Sequence, residues 1–182
     1  MRPLIFLDID DVIAINSDYS GSKVASFFKG ELGIEAADLW TKLFLPNAVS
    51  NLFALHKEFL PEYVITSSWT NYLDRPQLQS VFQKTGLDFI GENLHFQWTT
   101  PKSTIAGRLI ELQTWIARFG NESQLVLIID DTESGWNLEK SVFDLNEQIV
   151  FCEPRIGFVK HRLDKARQIL RRQIHTNTIE QK

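Results

Sequence analysis

The sequence feature that most constrains the fold is a short apolar run that ends abruptly in acidic residues, and it occurs twice. Residues 4–7 are apolar up to Asp8, and residues 125–129 are apolar up to Asp130. Continuous apolar runs of this length are typical of strands that are buried on both faces of a parallel sheet. We therefore predict two such strands, each followed at its carboxyl end by carboxylates.

Apolar residues recur at helical spacing between and after these runs. The pattern predicts helices at residues 48–59, 105–119 and 159–174, and a shorter one around residues 78–82. Residues 63–65 and 149–151 are further short apolar stretches, and Phe89 with Ile90 is a candidate for another strand. Because strands alternate with helices, we predict a Rossmann-like α/β fold with a central parallel sheet and helices on both faces.

The chain has 182 residues, which suits one domain. We predict a single domain over residues 1–175 and a polar C-terminal tail at residues 176–182. Residues 16–40 are rich in Ser, Gly and Asp and predict an irregular flap, or minimal cap, with one short helix. This insertion is too short to form a large cap domain.

The amino-acid composition limits the partners, the cross-links and the cellular compartment that we expect. The formal net charge is −4, which does not favour a dedicated nucleic-acid binder, although a nucleic-acid partner stays open. Cys152 is the single cysteine, so an internal disulfide is excluded, and the four histidines have no metal-ligand spacing. The apolar run at the N-terminus is too short for a signal peptide or a membrane span, and we expect a cytoplasmic protein without membrane contact.

Polar side chains follow three of the predicted strands. Asp8 and Asp10 follow the first, Thr66 follows the second, and Asp130 and Asp131 follow a later one. The carboxyl ends of parallel strands meet at one edge of the sheet, so we expect these side chains to share a rim. Carboxylates this close repel unless a cation lies between them, and oxygen ligands suit Mg²⁺. The sequence therefore predicts a Mg²⁺ site formed by Asp8, Asp10, Asp130 and Asp131.

The same segments resemble the motifs of the haloacid dehalogenase (HAD) superfamily. Residues 7–12, Leu-Asp-Ile-Asp-Asp-Val, resemble its first motif, residues 64–69 its second and residues 128–131 its fourth. The third motif is a basic residue, which could be Arg108 or Lys102. The resemblance spans residues 4–131, in the expected order.

Further segments resemble the small capless HAD domains that occur alone in bacteria or attached to RNA-repair proteins. They are the Ser-Ser-Trp at residues 67–69, Thr100 and Pro101 followed by Arg108, the pairs at residues 111–112 and 115–116, and residues 153–170.

The resemblance implies a Mg²⁺-dependent phosphohydrolase that acts on a phosphomonoester. Asp8 would attack phosphorus and form an aspartyl-phosphate, and Asp10 would exchange protons with the leaving oxygen and with water. Mg²⁺ would be held by Asp8, the main-chain carbonyl of Asp10, and Asp130 or Asp131. Thr66 would donate a hydrogen bond to a phosphoryl oxygen. The substrate could be a nucleotide, a nucleic-acid end or a phosphoprotein.

The choice between Arg108 and Lys102 as the phosphate-stabilising cation stays open. A helix rises 1.5 Å per residue, so the two positions would lie about 9 Å apart along one helix, and one of them should dominate. We favour Arg108, which matches the spacing after Thr100 and Pro101.

Two positions depart from the motifs that the chain resembles. Asp11 stands where glycine is common, and this third acid could alter metal affinity or weaken phosphate binding. Thr70 stands where the subgroup often has arginine. These departures keep a second hypothesis open, a regulatory or binding domain that has the HAD fold without turnover. A phosphoacceptor receiver domain fits less well, because residues 63–65 are followed by Thr66 rather than by an aspartate.

For three further features a structural role is favoured over a functional one. Trp69 could stack on a ring of the substrate, but a packing role on the rim is favoured. For the basic residues of the last predicted helix a solvated helix face is favoured, with contact to an anionic partner or RNA as the alternative. Ser67 and Ser68 are expected to hydrogen-bond turn backbone.

Overall fold

The computed structural model of the chain describes residues 2–15, 18–31, 36–102, 107–121 and 123–180. Its sheet contains five strands, all parallel, in the order β3-β2-β1-β4-β5. They are β1 (Leu4–Leu7), β2 (Glu62–Ile65), β3 (Leu94–Thr99), β4 (Val126–Asp131) and β5 (Ile149–Cys152). The predicted α/β class and parallel sheet are confirmed.

The central strands are apolar because both faces of the sheet are covered. Ile5 and Leu7 of β1 belong to the larger hydrophobic cluster, whereas Leu4 and Phe6 belong to a second cluster on the opposite face. Side chains alternate along a strand, so an uninterrupted apolar run supplies both clusters at once.

Eight helices within the described residues surround the sheet. They are α1 (Gly21–Phe28), α2 (Ala36–Lys42), α3 (Pro46–Phe59), α4 (Arg75–Lys84), α5 (Asp88–Glu92), α6 (Gly107–Phe119), α7 (Val142–Leu145) and α8 (Lys160–Glu180), with two short 3-10 helices at Ser68–Asn71 and Trp136–Leu138. The predicted end of α3 before Pro61 is confirmed, since the chain leaves the helix at Leu60 in a left-handed conformation. No helix of the described residues is both long and apolar enough to cross a bilayer.

The prediction of a strand at Phe89 and Ile90 was wrong. Both residues lie in α5, where they pack into the core, and the third strand follows at Leu94–Thr99. This strand lies at the edge of the sheet, and its middle residues Phe96 and Gln97 are exposed. An edge strand needs no continuous apolar run, so its sequence lacks the signal that identified β1 and β4.

The flap differs from the prediction in having two helices rather than one among its described residues. Gly21 at the start of α1 lies against Trp69, since a Cβ at this position would come within 2.8 Å of the indole. The flap is thereby packed onto the segment that follows β2. At the other end of the chain α8 continues to Glu180, through most of the predicted tail. Asn16 and Ile105, which the predictions also used, lie outside the described residues.

The strand register places the polar strand ends at one level. Leu7 pairs with Ile65 on one side and with Ile129 on the other. The residues that follow these three positions are Asp8, Thr66 and Asp130, so the parallel sheet delivers them side by side at its carboxyl edge.

Candidate functional site

Three buried carboxylates form the centre of the site. Asp8, Asp130 and Asp131 are each at most 1% exposed, and each contributes an oxygen atom that lies within 4.8 Å of the other two. The Asp8 amide donates a 3.0 Å hydrogen bond to the carbonyl of Ile129, which extends the β1–β4 pairing to the start of the site. Carboxylates from two separate strands therefore share one small volume.

Arg108 bridges this acidic group from the first turn of α6. Its Nε lies 2.7 Å from Asp130 Oδ2, one terminal nitrogen lies 3.3 Å from Asp8 Oδ1, and the other lies 3.2 Å from Glu111 Oε2. The guanidinium is 9% exposed, so these ion pairs are shielded from solvent. Of the two predicted cations, Arg108 is the one that contacts the carboxylates.

The start of α6 requires glycine at position 107. Gly107 has a φ of +65°, and a Cβ there would come within 2.5 Å of the Asn137 side chain. Asn137 Oδ1 also accepts a hydrogen bond from the amide of Leu109. This close approach fixes the first turn of the helix and, with it, the stem of Arg108.

Lys102 reaches the same rim by a different contact. Its Nζ donates a 2.5 Å hydrogen bond to the main-chain carbonyl of Ser67, next to the strand-end Thr66. Burial lowers the pKa of Lys102, and Arg108 lowers it further, while the neighbouring carboxylates oppose this shift. Both predicted cations thus lie at the site, and the choice of the one that acts on phosphate stays a prediction.

The buried carboxylates are difficult to keep ionised without a cation beside them. Burial raises the pKa of Asp8 well above its ordinary value, Asp130 and Asp131 raise it further, and Arg108 only partly offsets them. Burial likewise raises the pKa of Asp130 to about 7 despite the contact with Arg108. Burial of Arg108 would lower its own pKa, but the surrounding carboxylates more than compensate and raise it. The site therefore favours an additional cation.

Asp10 lies near the three-carboxylate group without being part of it. Its Oδ1 accepts a 2.8 Å hydrogen bond from the Trp69 indole nitrogen, and its Oδ2 accepts a 3.0 Å hydrogen bond from the Ser68 hydroxyl. Because both carboxylate oxygens are engaged, the main-chain carbonyl is the part of Asp10 that stays available to a metal, as the resemblance implies. Trp69 is fully buried, so it orients Asp10 and cannot stack on a ligand.

Three buried oxygen atoms at the site have no hydrogen-bond partner among the described residues. They are Asp8 Oδ2, Asp131 Oδ2 and the hydroxyl of Thr66. Leaving a buried polar atom unpaired is costly, so such atoms point to a ligand. Asp131 Oδ1, in contrast, accepts hydrogen bonds from the amides of Glu133 and Ser134, which orients its other oxygen.

The residues present fit Mg²⁺. Ligand distances of about 2.1 Å place two opposite oxygens about 4.2 Å apart, close to the spread of the carboxylate oxygens, which lie within 4.8 Å of one another. The unpaired oxygen of Asp131 could take one position and Asp8 Oδ1 another, which leaves Asp8 Oδ2 free of the metal. Asp130 is more heavily used, since one of its oxygens faces Arg108 and the other accepts from the Asp131 amide.

Over residues 4–163 the sequence matches the family described as "HAD domain in Swiss Army Knife RNA repair proteins". The chain belongs to this family. No curated protein and no solved structure matches it. The expected resemblance to the small capless HAD domains is confirmed, and the match covers all five strands and most of the helices of this HAD domain.

The Asp11 side chain of the HAD domain forms a hydrogen bond that supports the fold. Its φ is +54°, in the left-handed region where glycine is most readily accommodated, and its Oδ1 accepts a 2.7 Å hydrogen bond from the amide of Arg155. Aspartate tolerates this backbone conformation better than most residues. The sequence suggested that Asp11 could disturb the metal or phosphate, whereas the fold directs its carboxylate to the loop after β5.

Sequence reasoning missed the contacts that support this site. Glu111 was noted only as part of a resembling segment, yet it holds one end of the Arg108 guanidinium. Ser67 behaves as expected, accepting from the Trp69 amide, but Ser68 donates to Asp10 instead of to turn backbone. A carboxylate one helical turn after a basic residue was a readable signal for Glu111. No local pattern joins Ser68 to Asp10, which are 58 residues apart.

Proposed function

We propose that this HAD domain is a Mg²⁺-dependent phosphohydrolase that cleaves a phosphomonoester through an aspartyl-phosphate on Asp8. The observation that carries the proposal is the Asp8 carboxylate. One of its oxygens contacts Arg108, and the other is buried without a partner among the described residues. An unpartnered carboxylate oxygen beside a cation supports a role for Asp8 as the nucleophile.

In the first half-reaction, Asp8 Oδ2 attacks the phosphorus atom of the substrate. The bond between phosphorus and the leaving oxygen breaks, and Asp10 transfers a proton to that oxygen. The contacts of Asp10 with Trp69 and Ser68 orient its carboxyl group for this transfer. The Thr66 hydroxyl donates a hydrogen bond to a phosphoryl oxygen, and Arg108 or Lys102 stabilises the charge that develops there.

In the second half-reaction, water attacks the phosphorus atom of the aspartyl-phosphate. Asp10, now ionised, accepts a proton from this water, and the bond between Asp8 and phosphorus breaks. Inorganic phosphate leaves, and both aspartates return to their starting states. Mg²⁺ held by Asp8, Asp131, Asp130 and the carbonyl of Asp10 would neutralise the charge between an anionic nucleophile and an anionic substrate.

A phosphorylated nucleic-acid end is the substrate class that we favour. The description of the family refers to RNA repair proteins, and repair of a strand requires defined chemistry at its ends. The small flap also suits a large substrate, because the described residues include no cap domain over the carboxyl edge. A nucleotide or a phosphoprotein is the alternative phosphomonoester.

The second candidate function is a regulatory or binding domain without turnover, which Asp11 suggested. The hydrogen bond between Asp11 and the Arg155 amide weakens this candidate, since it assigns that acid to the loop rather than to the metal. A receiver domain is supported less, because Thr66 rather than an aspartate ends β2.

The test is hydrolysis of 4-nitrophenyl phosphate in the presence of Mg²⁺. We expect turnover by the wild type and its loss in Asp8→Asn, which keeps the shape of the side chain. Asp164→Asn is a matched control, since Asp164 lies on α8 in a surface ion pair with Lys160, and it should retain full activity.

Trapping with beryllofluoride locates the nucleophile directly. An adduct on Asp8 supports the proposal, and an adduct on another residue contradicts it. A wild type that is no faster than Asp8→Asn would favour the binding domain.

A further inference from the structure

An open cleft of about 730 Å³ adjoins the proposed site on the side of Asp10. Its walls come from the segment after β1 and from the loop after β5, and they include Tyr19, Pro154 and Arg155. Asp10 is the residue that would protonate the leaving oxygen. Asp10 is part of the lining of this cleft, so a group bonded to that oxygen can extend into it.

The loop that carries Arg155 is tied to the segment after Asp8. Asp11 accepts from the Arg155 amide, and the Phe158 amide donates a 2.8 Å hydrogen bond to the carbonyl of Val12. Gly157 has a φ of +77°, and a Cβ there would come within 2.8 Å of the same carbonyl. These contacts fix the position from which Arg155 projects, so its placement beside Asp10 is built into the fold.

The charges of the cleft make Arg155 its decisive residue. Arg155 is the one basic residue among the described lining, which also contains Asp10, Asp11 and Glu133. The Arg155 side chain is exposed, and none of the ion pairs between described residues includes its guanidinium. Without Arg155 the lining would repel an anionic leaving group. With it, the cleft combines a guanidinium, suited to phosphate, with the ring of Tyr19, suited to a sugar or base.

We propose that this cleft binds the nucleotide part of the substrate, which is the leaving group. Arg155 binds the phosphodiester next to the scissile phosphate. This inference rests on the proposed function. It specifies the substrate as a terminal phosphate on a chain of at least two nucleotides. Asp11 is a positioning residue in this arrangement, because it acts on the substrate through the Arg155 loop.

The experiment compares substrates that differ by one nucleotide, and Arg155→Ala isolates the contribution of its phosphate. We expect the wild type to hydrolyse a 5′-phosphorylated or 3′-phosphorylated dinucleotide with a kcat/KM at least about tenfold above that for the matching mononucleotide, as a charge-assisted contact would give. Arg155→Ala should lower this ratio about tenfold, and Arg155→Lys should restore part of it. Arg118→Ala is the matched control, since Arg118 is exposed at the far end of α6.

Three outcomes would overturn the inference. They are a wild-type ratio near one, a ratio that Arg155→Ala leaves unchanged, and a higher kcat/KM for a phosphoserine peptide than for both dinucleotides.

Asp11 provides an independent test. Asp11→Gly suits the left-handed backbone but removes the acceptor for the Arg155 amide, so it should lower the substrate ratio. Asp11→Asn keeps an acceptor oxygen and should restore it. Equal substrate ratios in the two variants would show that Asp11 does not position Arg155.

Binding separates a failure of this inference from a failure of the proposed function. If no probe is hydrolysed, the proposed function fails. Fluorescence anisotropy of a labelled phosphorylated dinucleotide with Mg²⁺ then tests whether the cleft binds a nucleotide. Binding that weakens about tenfold in Arg155→Ala and persists in Arg118→Ala supports the cleft. An absence of binding, or equal affinities in both variants, overturns it.

Discussion

Two arginine–carboxylate networks of this protein use the same chemical groups in opposite surroundings. Arg108 lies at the carboxyl edge of the sheet among Asp8, Asp130 and Glu111, all of them buried. On the helical surface, Arg167 and Arg171 of α8 contact Glu58 of α3, with the Arg171 side chain 64% exposed. The surface network joins two helices, whereas the buried network joins a helix to the ends of the sheet.

The difference shows how burial changes the meaning of an ion pair. Exposed pairs gain little, since water solvates the separated charges almost as well. A buried group of carboxylates loses solvation and repels internally, so it persists only with cations beside it. Most basic residues of α8 are exposed, although Arg162 and Arg167 are half-buried, whereas Arg108, the favoured cation of the third motif, lies buried among the carboxylates.

The largest effect is expected from Arg108→Ala. This change leaves Asp8, Asp130 and Glu111 without their arginine, so the free energy of unfolding should fall by about 3–5 kcal/mol, or Tm by about 10 °C. If Arg108 also stabilises the transferred phosphoryl group, kcat should fall about a hundredfold or more.

Lys102→Ala is the comparison for the rate. It removes a contact to a carbonyl rather than to the carboxylates, so we expect a smaller loss of stability and of kcat. A near-normal kcat in Arg108→Ala beside a collapsed kcat in Lys102→Ala would assign the phosphate-stabilising cation to Lys102.

Mg²⁺ should stabilise the buried network substantially. Binding to the folded state alone contributes about 2.7 kcal/mol when free Mg²⁺ is a hundredfold above Kd. Calorimetry with and without Mg²⁺ measures the rise in Tm, and Asp130→Asn combined with Asp131→Asn should abolish it. A rise that survives in this double variant would place the metal elsewhere.

The metal-free protein should lose stability as pH rises. The folded-state pKa values of Asp8 and Asp130 lie above the ordinary value of 3.8, and that of Asp130 is about 7. Groups with raised pKa values favour the folded state when protonated, so this contribution is present at acidic pH and is lost between about pH 4 and pH 7. Tm in EDTA should therefore decline over this range by less in Asp8→Asn than in the wild type. Equal declines would show that Asp8 does not carry the effect.

The smallest effect is expected on the surface network. Glu58→Gln removes the charge that Arg167 and Arg171 share, and it should cost about 1 kcal/mol or less. Chemical denaturation measures this change, and added salt should reduce it further. A loss of stability as large as that caused by Arg108→Ala would show that the surface network contributes as much as the buried one.

Much of the fold could be predicted because its signals are local. The central strands β1 and β4 must be apolar on both sides, and a long amphipathic helix repeats its pattern over several turns. The acids that follow β1 and those that end β4 could be assigned to one edge because parallel strands all end there. The edge strand β3 and the second helix of the flap were missed, since each has only short or mixed patterns.

Local sequence patterns were enough to predict which residues lie at the carboxyl ends of the buried strands, and to recognise the HAD family. Which of those side chains contact one another depended on the three-dimensional fold. It directed Asp10 to Trp69 and Ser68, turned Asp11 toward Arg155, and placed Arg108 rather than Lys102 against the carboxylates. The physical reason is that these contacts join residues far apart in sequence, and their geometry depends on strand register and helix docking.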